Sequence, residues 1–380
     1  MPPVRDLFFT GAEYAERLAT VRRKMHERGA DVLIVDETEH LFYLTGFIIS
    51  GTTYQACIIP FDQEPVMVLR SMDKANFLEQ SWLSDYVTFA DIEDPIAVVA
   101  RTLSKRSWSS KCIGFELDSH YLTVRRHQTF RDALPEATFV DFSEILWELR
   151  LRKSPQEIAY LRIASQIADA MMLQAINAIG EGKSEREAAI AACRTLIEMG
   201  GDLRRPGLVT SGRRSGSIHG VLGDHRLERG DLVHMEFTPR FHNYSGRLIR
   251  PTVIGPPSRD QAETARQLIA IQDEQIAAMR PGAVAKDIDR ICREQVLAAG
   301  LRDVYENVTG YTVGCDVLFP PPRITDLTRT FLPTSDWVLE PGMTFHMYTW
   351  ARNMSFSETV LVTEIGHERL TQLERKLFIR

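Results

Sequence analysis

His219, in SIHGVLGDHRLERGD, and Glu236, in LVHMEFT, are the first candidates for acid–base work. An imidazole titrates near neutrality and is the usual side chain for moving a proton there. Around Glu236, the apolar Val233, Met235 and Phe237 alternate with His234, Glu236 and Thr238. That period of two describes a strand with one polar face. A carboxylate turned from that face into a cleft can bind a cationic C–N centre or attack it. Downstream, in YSGRLIRPTVIG, Arg247 and Arg250 can each clamp a carboxylate through two N–H groups. Plainer readings compete at each position: a loop histidine bonded to backbone, a strand glutamate facing solvent, an arginine with a structural role. Cys57, Cys112, Cys193, Cys292 and Cys315 are odd in number and include no C-x-x-C. This favours reduced thiols over a disulfide framework or a zinc site, and Cys315 has no histidine at a telling spacing.

These residues need elements to hold them. Residues 13–28 read as an amphipathic helix with Tyr14, Leu18, Val21 and Met25 on one face and Gly29 as its stop. Short apolar runs at 32–35, 56–60, 66–69, 112–116 and 138–140 read as strands, and with intervening helices they predict an α/β domain over residues 1–150. In LRKSPQEIAY, Ser154 caps the next helix, with Pro155 at its first position and Glu157 completing a capping box. The pattern from 151 to 380 is two helices then strands, followed by two helices then strands again. The strand segments include GLVTSG, DLVHMEF, VYENVTGYTVG, MTFHMYTW and ETVLVT. This is a duplicated architecture, not a short solenoid repeat.

Composition narrows the function classes. The 380 residues are 44% hydrophobic and 25% charged, an ordinary globular balance, with a formal net charge of −6. That charge argues against general binding to nucleic acid or acidic membranes, and the pairs Arg204-Arg205 and Arg213-Arg214 read as loop charges. No signal-peptide h-region and no run of about 18 apolar residues is visible, so a cytoplasmic location and no membrane span are expected.

Taken in order, KSPQEIAYLRIASQIAD, RLERGDLVHMEF, GYTVG, LEPGMTF and SETVLVTEIGHERLT resemble the creatinase/aminopeptidase P/prolidase family over essentially the whole chain. The resemblance implies a small N-terminal creatinase-like α/β domain and a pseudo-two-fold "pita-bread" domain, α/β (α+β) in class. It also implies a homodimer whose N-terminal domains cap the partner's site. Active members hold two divalent ions through two aspartates, a histidine and two glutamates, and the ions activate a bridging water. Here those five positions fall on Glu236, Arg247, Tyr311, Tyr348 and Ser357. Only Glu236 ligates in the usual way, and Arg247 puts a permanent cation where the ions would sit.

The resemblance therefore points to a member without metal or other cofactor. His219 matches the histidine that the metal-free creatinase branch uses for proton transfer. Tyr311 and Tyr348 can donate hydrogen bonds to developing negative charge, and Arg247 can bind an anionic group. Tyr54, in GTTYQACII, stands where creatinase inserts a residue into its partner's site. Glu358 lies one residue off a ligand position and His346 one step along the strand from Tyr348, so both rank behind these. The expectation is a metal-independent hydrolase of a C–N bond (amidine, guanidine or amide) in a small zwitterionic metabolite, as in ectoine hydrolases. His219 and Glu236 would be catalytic, with Arg247, Tyr311, Tyr348 and Tyr54 binding substrate. The alternatives are a lyase on a small zwitterion, an inactive binding protein and an Xaa-Pro-type metallopeptidase.

Overall fold

The computed structural model describes residues 7–51, 53–203, 207–317 and 328–380. The chain divides between Leu149 and Arg150 into two compact units.

In the first unit, α1 (Gly11–Arg28) is capped by the Thr10 side chain and stopped by Gly29 in the left-handed region at φ 68°. The chain continues through β1 (Val32–Val35), α2 (Thr38–Thr45), β2 (Ala56–Pro60), β3 (Val66–Arg70), α3 (Lys74–Gln80), β4 (Tyr86–Phe89), α4 (Pro95–Lys105), β5 (Cys112–Phe115), α5 (Val124–Ala133), β6 (Thr138–Asp141) and α6 (Ile145–Leu149). The strands form one sheet in the order β4-β3-β2-β1-β5-β6. Alternate residues of β1 serve two cores. Leu33 and Val35 pack on the face covered by Leu18, Val21 and Met25 of α1, while Val32 and Ile34 pack with Val99, Leu103 and Phe130 from α4 and α5. A sheet buried on both faces explains why its strands read as continuous apolar runs.

The second unit opens on α7 (Pro155–Ala178), whose capping box closes through Ser154 and Glu157. α8 (Glu185–Glu198) follows, then β7 (Gly207–Ser211), β8 (Leu232–Phe237), the small ribbon of β9 (Arg240–Phe241) and β10 (Tyr244–Ser245), and β11 (Leu248–Val253). The second half repeats the plan with α9 (Arg259–Ala277), α10 (Ala285–Ala298), β12 (Gly310–Thr312), β13 (Thr344–Ala351), β14 (Met354–Val362), β15 (His367–Arg369) and β16 (Phe378–Ile379). The two larger sheets run β16-β11-β8-β7 and β12-β13-β14-β15. The strand expected across VYENVTGYTVG shrinks to Gly310–Thr312. The reason is local: Arg293 of α10 takes the carbonyls of Tyr305 and Asn307, so that backbone answers a side chain instead of a neighbouring strand. No helix among the described residues is long and apolar enough to cross a membrane.

Arg250 joins the two sheets. Its guanidinium donates to the carbonyls of Ile249, Ser357, Leu373 and Glu374 and to Glu358 Oε1 at 2.7 Å, with no exposure. The chain reaches this seam through Gly246, which lies directly against α7: a Cβ there would stand 2.5 Å from the Ala164 carbonyl carbon and 2.6 Å from Ser165 N. Backbone on both sides leaves no flexible atom to yield. Gly246→Ala is therefore expected to destabilise the chain by about 1–3 kcal/mol, read as a lower urea midpoint.

One carboxyl in the first unit carries a pH signature. Burial pushes Asp36 up to about 7, against the hydroxyls of Ser119 and Tyr54 near it, with Glu37 and Arg126 acting on it in opposite senses. An unfolded aspartate titrates near 3.9. Between the two values the folded chain holds a proton that the unfolded chain has released. Stability must fall as pH rises from about 4 to about 7, and level off above that. Chemical denaturation is expected to show this fall, on the order of a few kcal/mol, in the wild type and not in Asp36→Asn.

Candidate active site

Strand alternation in β8 sends Val233, Met235 and Phe237 into a core and turns His234 and Glu236 the other way. Arg247, just before β11, meets Glu236: its Nε donates to Oε1 at 2.7 Å, and its Nη2 donates to the same oxygen. Both residues are buried. Desolvation works against the guanidinium charge, and the Glu236 carboxylate outweighs it, holding the Arg247 pKa above its ordinary value. The Arg247 backbone is stapled to β14, because Thr359 Oγ1 accepts from its N–H at 2.8 Å and donates to its C=O at 2.9 Å. The third arm, Nη1, is buried without a partner.

The second sheet supplies an aromatic wall. Arg247 Cζ lies 5.2 Å from the Tyr311 ring centroid, within cation–π range. Tyr311 and His346 are cross-strand partners with ring centroids 5.1 Å apart, and His346 stacks on Tyr348 at 5.4 Å and 17°. Tyr348 faces Ser357 in the β13–β14 register, and its hydroxyl accepts from Asn307 Nδ2 at 2.9 Å. Burial raises the pKa of Tyr311, against the pull of Arg247, and burial likewise raises that of Tyr348. Both phenols therefore stay protonated. Burial, followed by Arg247, pushes His346 well below the ordinary imidazole range. Burial also lowers His234; Glu236 opposes that shift and His219 adds to it. The cleft thus combines one neutralised ion pair with two uncharged imidazoles.

His219 sits on the loop between β7 and β8, with its ring exposed. Glu185, at the start of α8, anchors that loop by accepting from Ser211 Oγ at 2.7 Å, Arg214 Nη2 at 2.8 and 2.6 Å, and Gly223 N at 2.6 Å. Arg214 is therefore part of this anchor and not a stray loop charge, while Arg204 and Arg205 lie outside the described residues.

The structure brings Glu236, Arg247, Tyr311, Tyr348 and Ser357 together, and His219 acts electrostatically on His234 of the same strand as Glu236. Two expectations change. Arg250 has no N–H left for a substrate, because all of its arms answer carbonyls and Glu358 at the sheet seam. Tyr54 is fully buried in the first unit's core, 6.1 Å from Phe130 and beneath Arg126, with its hydroxyl at Asp36. A side chain packed there cannot extend into a second chain's site. His234, Thr210 and Glu185 were not singled out in the sequence. The alternation LVHMEF did place His234 on the Glu236 face, whereas nothing local marks Thr210 or Glu185.

The residues do not fit a pair of divalent ions. Among Glu236, Arg247, Tyr311, Tyr348 and Ser357 the one carboxylate is engaged by a guanidinium, and two neutral phenols and a serine complete the set. Among the described residues no group of three or more His, Cys, Asp or Glu side chains is arranged to hold a metal.

Comparison with known proteins places this architecture. Residues 17–152 match the creatinase/prolidase N-terminal domain and residues 159–364 match metallopeptidase family M24. The chain belongs to family M24. It is 28% identical to the ectoine hydrolase of Halomonas elongata, over 99% of both chains. It is 29% identical to the Xaa-Pro dipeptidase of Pyrococcus furiosus, over 95% of this chain and 99% of that one. The solved prolidase of Thermococcus sibiricus shares the fold with a TM-score of 0.85 at 21% identity, covering 97% of this chain and 99% of that one. These named relatives are hydrolases.

Breaking the central pair from one side leaves a buried charge alone. Arg247→Met and Glu236→Gln are each expected to cost about 3–5 kcal/mol of stability. The double variant should recover most of that loss, as read by a urea-denaturation double-mutant cycle.

Proposed function

We propose that this chain hydrolyses a C–N bond in a small zwitterionic metabolite without metal. The observation that carries the reading is the Glu236–Arg247 pair, set at two positions that family members use for metal, with Arg247 Nη1 buried and unpartnered. A guanidinium N–H in a water-poor cleft favours an anionic acceptor, and a carboxylate is the plainest one. Both bonds from Arg247 fall on Oε1, which leaves Glu236 Oε2 to face a cationic or polarised C–N group. A ligand with one charge of each sign suits a cleft whose own charges cancel. The ectoine hydrolase relative supports a cyclic amidine as the first substrate to test.

In this reading Arg247, Tyr311 and Tyr348 hold the substrate, and Glu236 stabilises the electron-poor carbon or attacks it. His219 takes a proton from the incoming water and returns one to the leaving nitrogen. The water oxygen ends on carbon, and the C–N bonding pair leaves with nitrogen. The homodimer implied by the resemblance and the cytoplasmic setting expected from the sequence belong to the same proposal.

The expected result with ectoine and related zwitterions is turnover unchanged after exhaustive chelation. His219→Ala should cost about 10²–10⁴ in kcat. Reaction in oxygen-18 water should label the product, which separates hydrolysis from elimination. Chelator inhibition reversed by manganese or cobalt would overturn the reading.

A further inference from the structure

The strands around the Glu236–Arg247 pair hold several buried polar atoms that nothing in the fold answers. Both ring nitrogens of His234 and both of His346 lack a hydrogen-bond partner, although each residue is only 1% exposed. Thr210 Oγ1, opposite His234 in the β7–β8 register, and Ser357 Oγ, opposite Tyr348, share the condition. Arg247 Nη1 is likewise buried without a partner. Buried polar groups are normally bonded, and leaving them unanswered is costly. Several of them, contributed by both sheets on the strands that carry Glu236 and Tyr348, point to a ligand that answers them.

Packing does not explain the two histidines. His346 is held between the Tyr311 ring and the stacked Tyr348 ring. His234 occupies the Glu236 face of β8, and the His219 loop closes over its neighbour: a Cβ on Gly220 would stand 2.6 Å from Thr210 Cγ2. A phenylalanine at either position would keep an aromatic ring there and strand no nitrogen. A residue that costs stability without improving packing is the signature of a functional one.

We propose that His234 and His346 are substrate-binding residues, one from each sheet, that grip the polar groups of a small carboxylate-bearing molecule through neutral ring nitrogens while its carboxylate takes Arg247 Nη1. This rests on the zwitterion reading of the site and deepens it. Each neutral imidazole offers one donor and one acceptor. The fitting class is therefore an amino- or amidine-type carboxylate with N–H groups beyond the anion, and a bare carboxylate answers only part of the set.

The test uses the full-length protein with His234→Phe and His346→Phe. Unliganded melting temperature is measured first, then isothermal titration with ectoine and with acetate. Melting temperatures at or above wild type are expected, with wild-type ectoine binding stronger than acetate binding. Affinity for ectoine should weaken by about tenfold or more in each variant. Lower melting temperatures with ectoine binding retained would make both residues structural and overturn the proposal, as would wild type that binds neither probe. If a phenylalanine variant does not fold, the glutamine variant decides. Glutamine keeps a donor and an acceptor, so ectoine binding retained by His346→Gln and lost by His346→Leu supports the proposal, and binding retained by both overturns it. Chelator inhibition would sink the metal-free reading and leave this binding result standing. Retained ectoine binding in both variants would do the reverse.

Discussion

A guanidinium taken out of water must find an anion, and in this chain Arg247 finds Glu236. Much of the cleft is arranged around that requirement. Gly246 lets the chain press against α7 just before Arg247, Thr359 fixes the Arg247 backbone to β14, and Tyr311 covers the guanidinium face. The same pair sets the electrostatics of its surroundings. Its two charges cancel, and burial, in part against the pull of the pair, keeps the neighbouring imidazoles and phenols uncharged.

Arg250 and Arg247 stand three residues apart and do opposite work. Arg250 is fully bonded at the seam between the sheets, where Glu358 and a set of carbonyls consume its donors. It fastens the two halves of the unit and presents nothing to a ligand. Arg247 keeps one arm unanswered inside the cleft. Satisfied polar groups build the scaffold, and unsatisfied ones mark where a ligand is received. Arg240, paired with Asp316 at 2.5 Å, belongs with Arg250 on the scaffold side.

Several elements were legible from local pattern. The capping box at Ser154, the helix ending at Gly29 and the polar face of LVHMEF depend on neighbours within a few residues, and each appears as read. α2 escaped notice because all eight of its residues are buried, so it lacks the one-sided periodicity that marks a surface helix. The strand read across VYENVTGYTVG shortened because Arg293, on the helix just before it, takes the carbonyls of Tyr305 and Asn307.

The sequence by itself determined that a carboxylate, a guanidinium and two phenols stand in the strand segments of the second unit. It also determined the order of helices and strands, because those signals are periodic and short in range. Only the tertiary structure decided how each polar group is used: that Arg250 is consumed, that Tyr54 faces inward onto Asp36, that Glu185 anchors the His219 loop, and that His234 and His346 keep their nitrogens bare. Burial and hydrogen-bond satisfaction depend on residues far apart in the chain, and no local pattern carries that information.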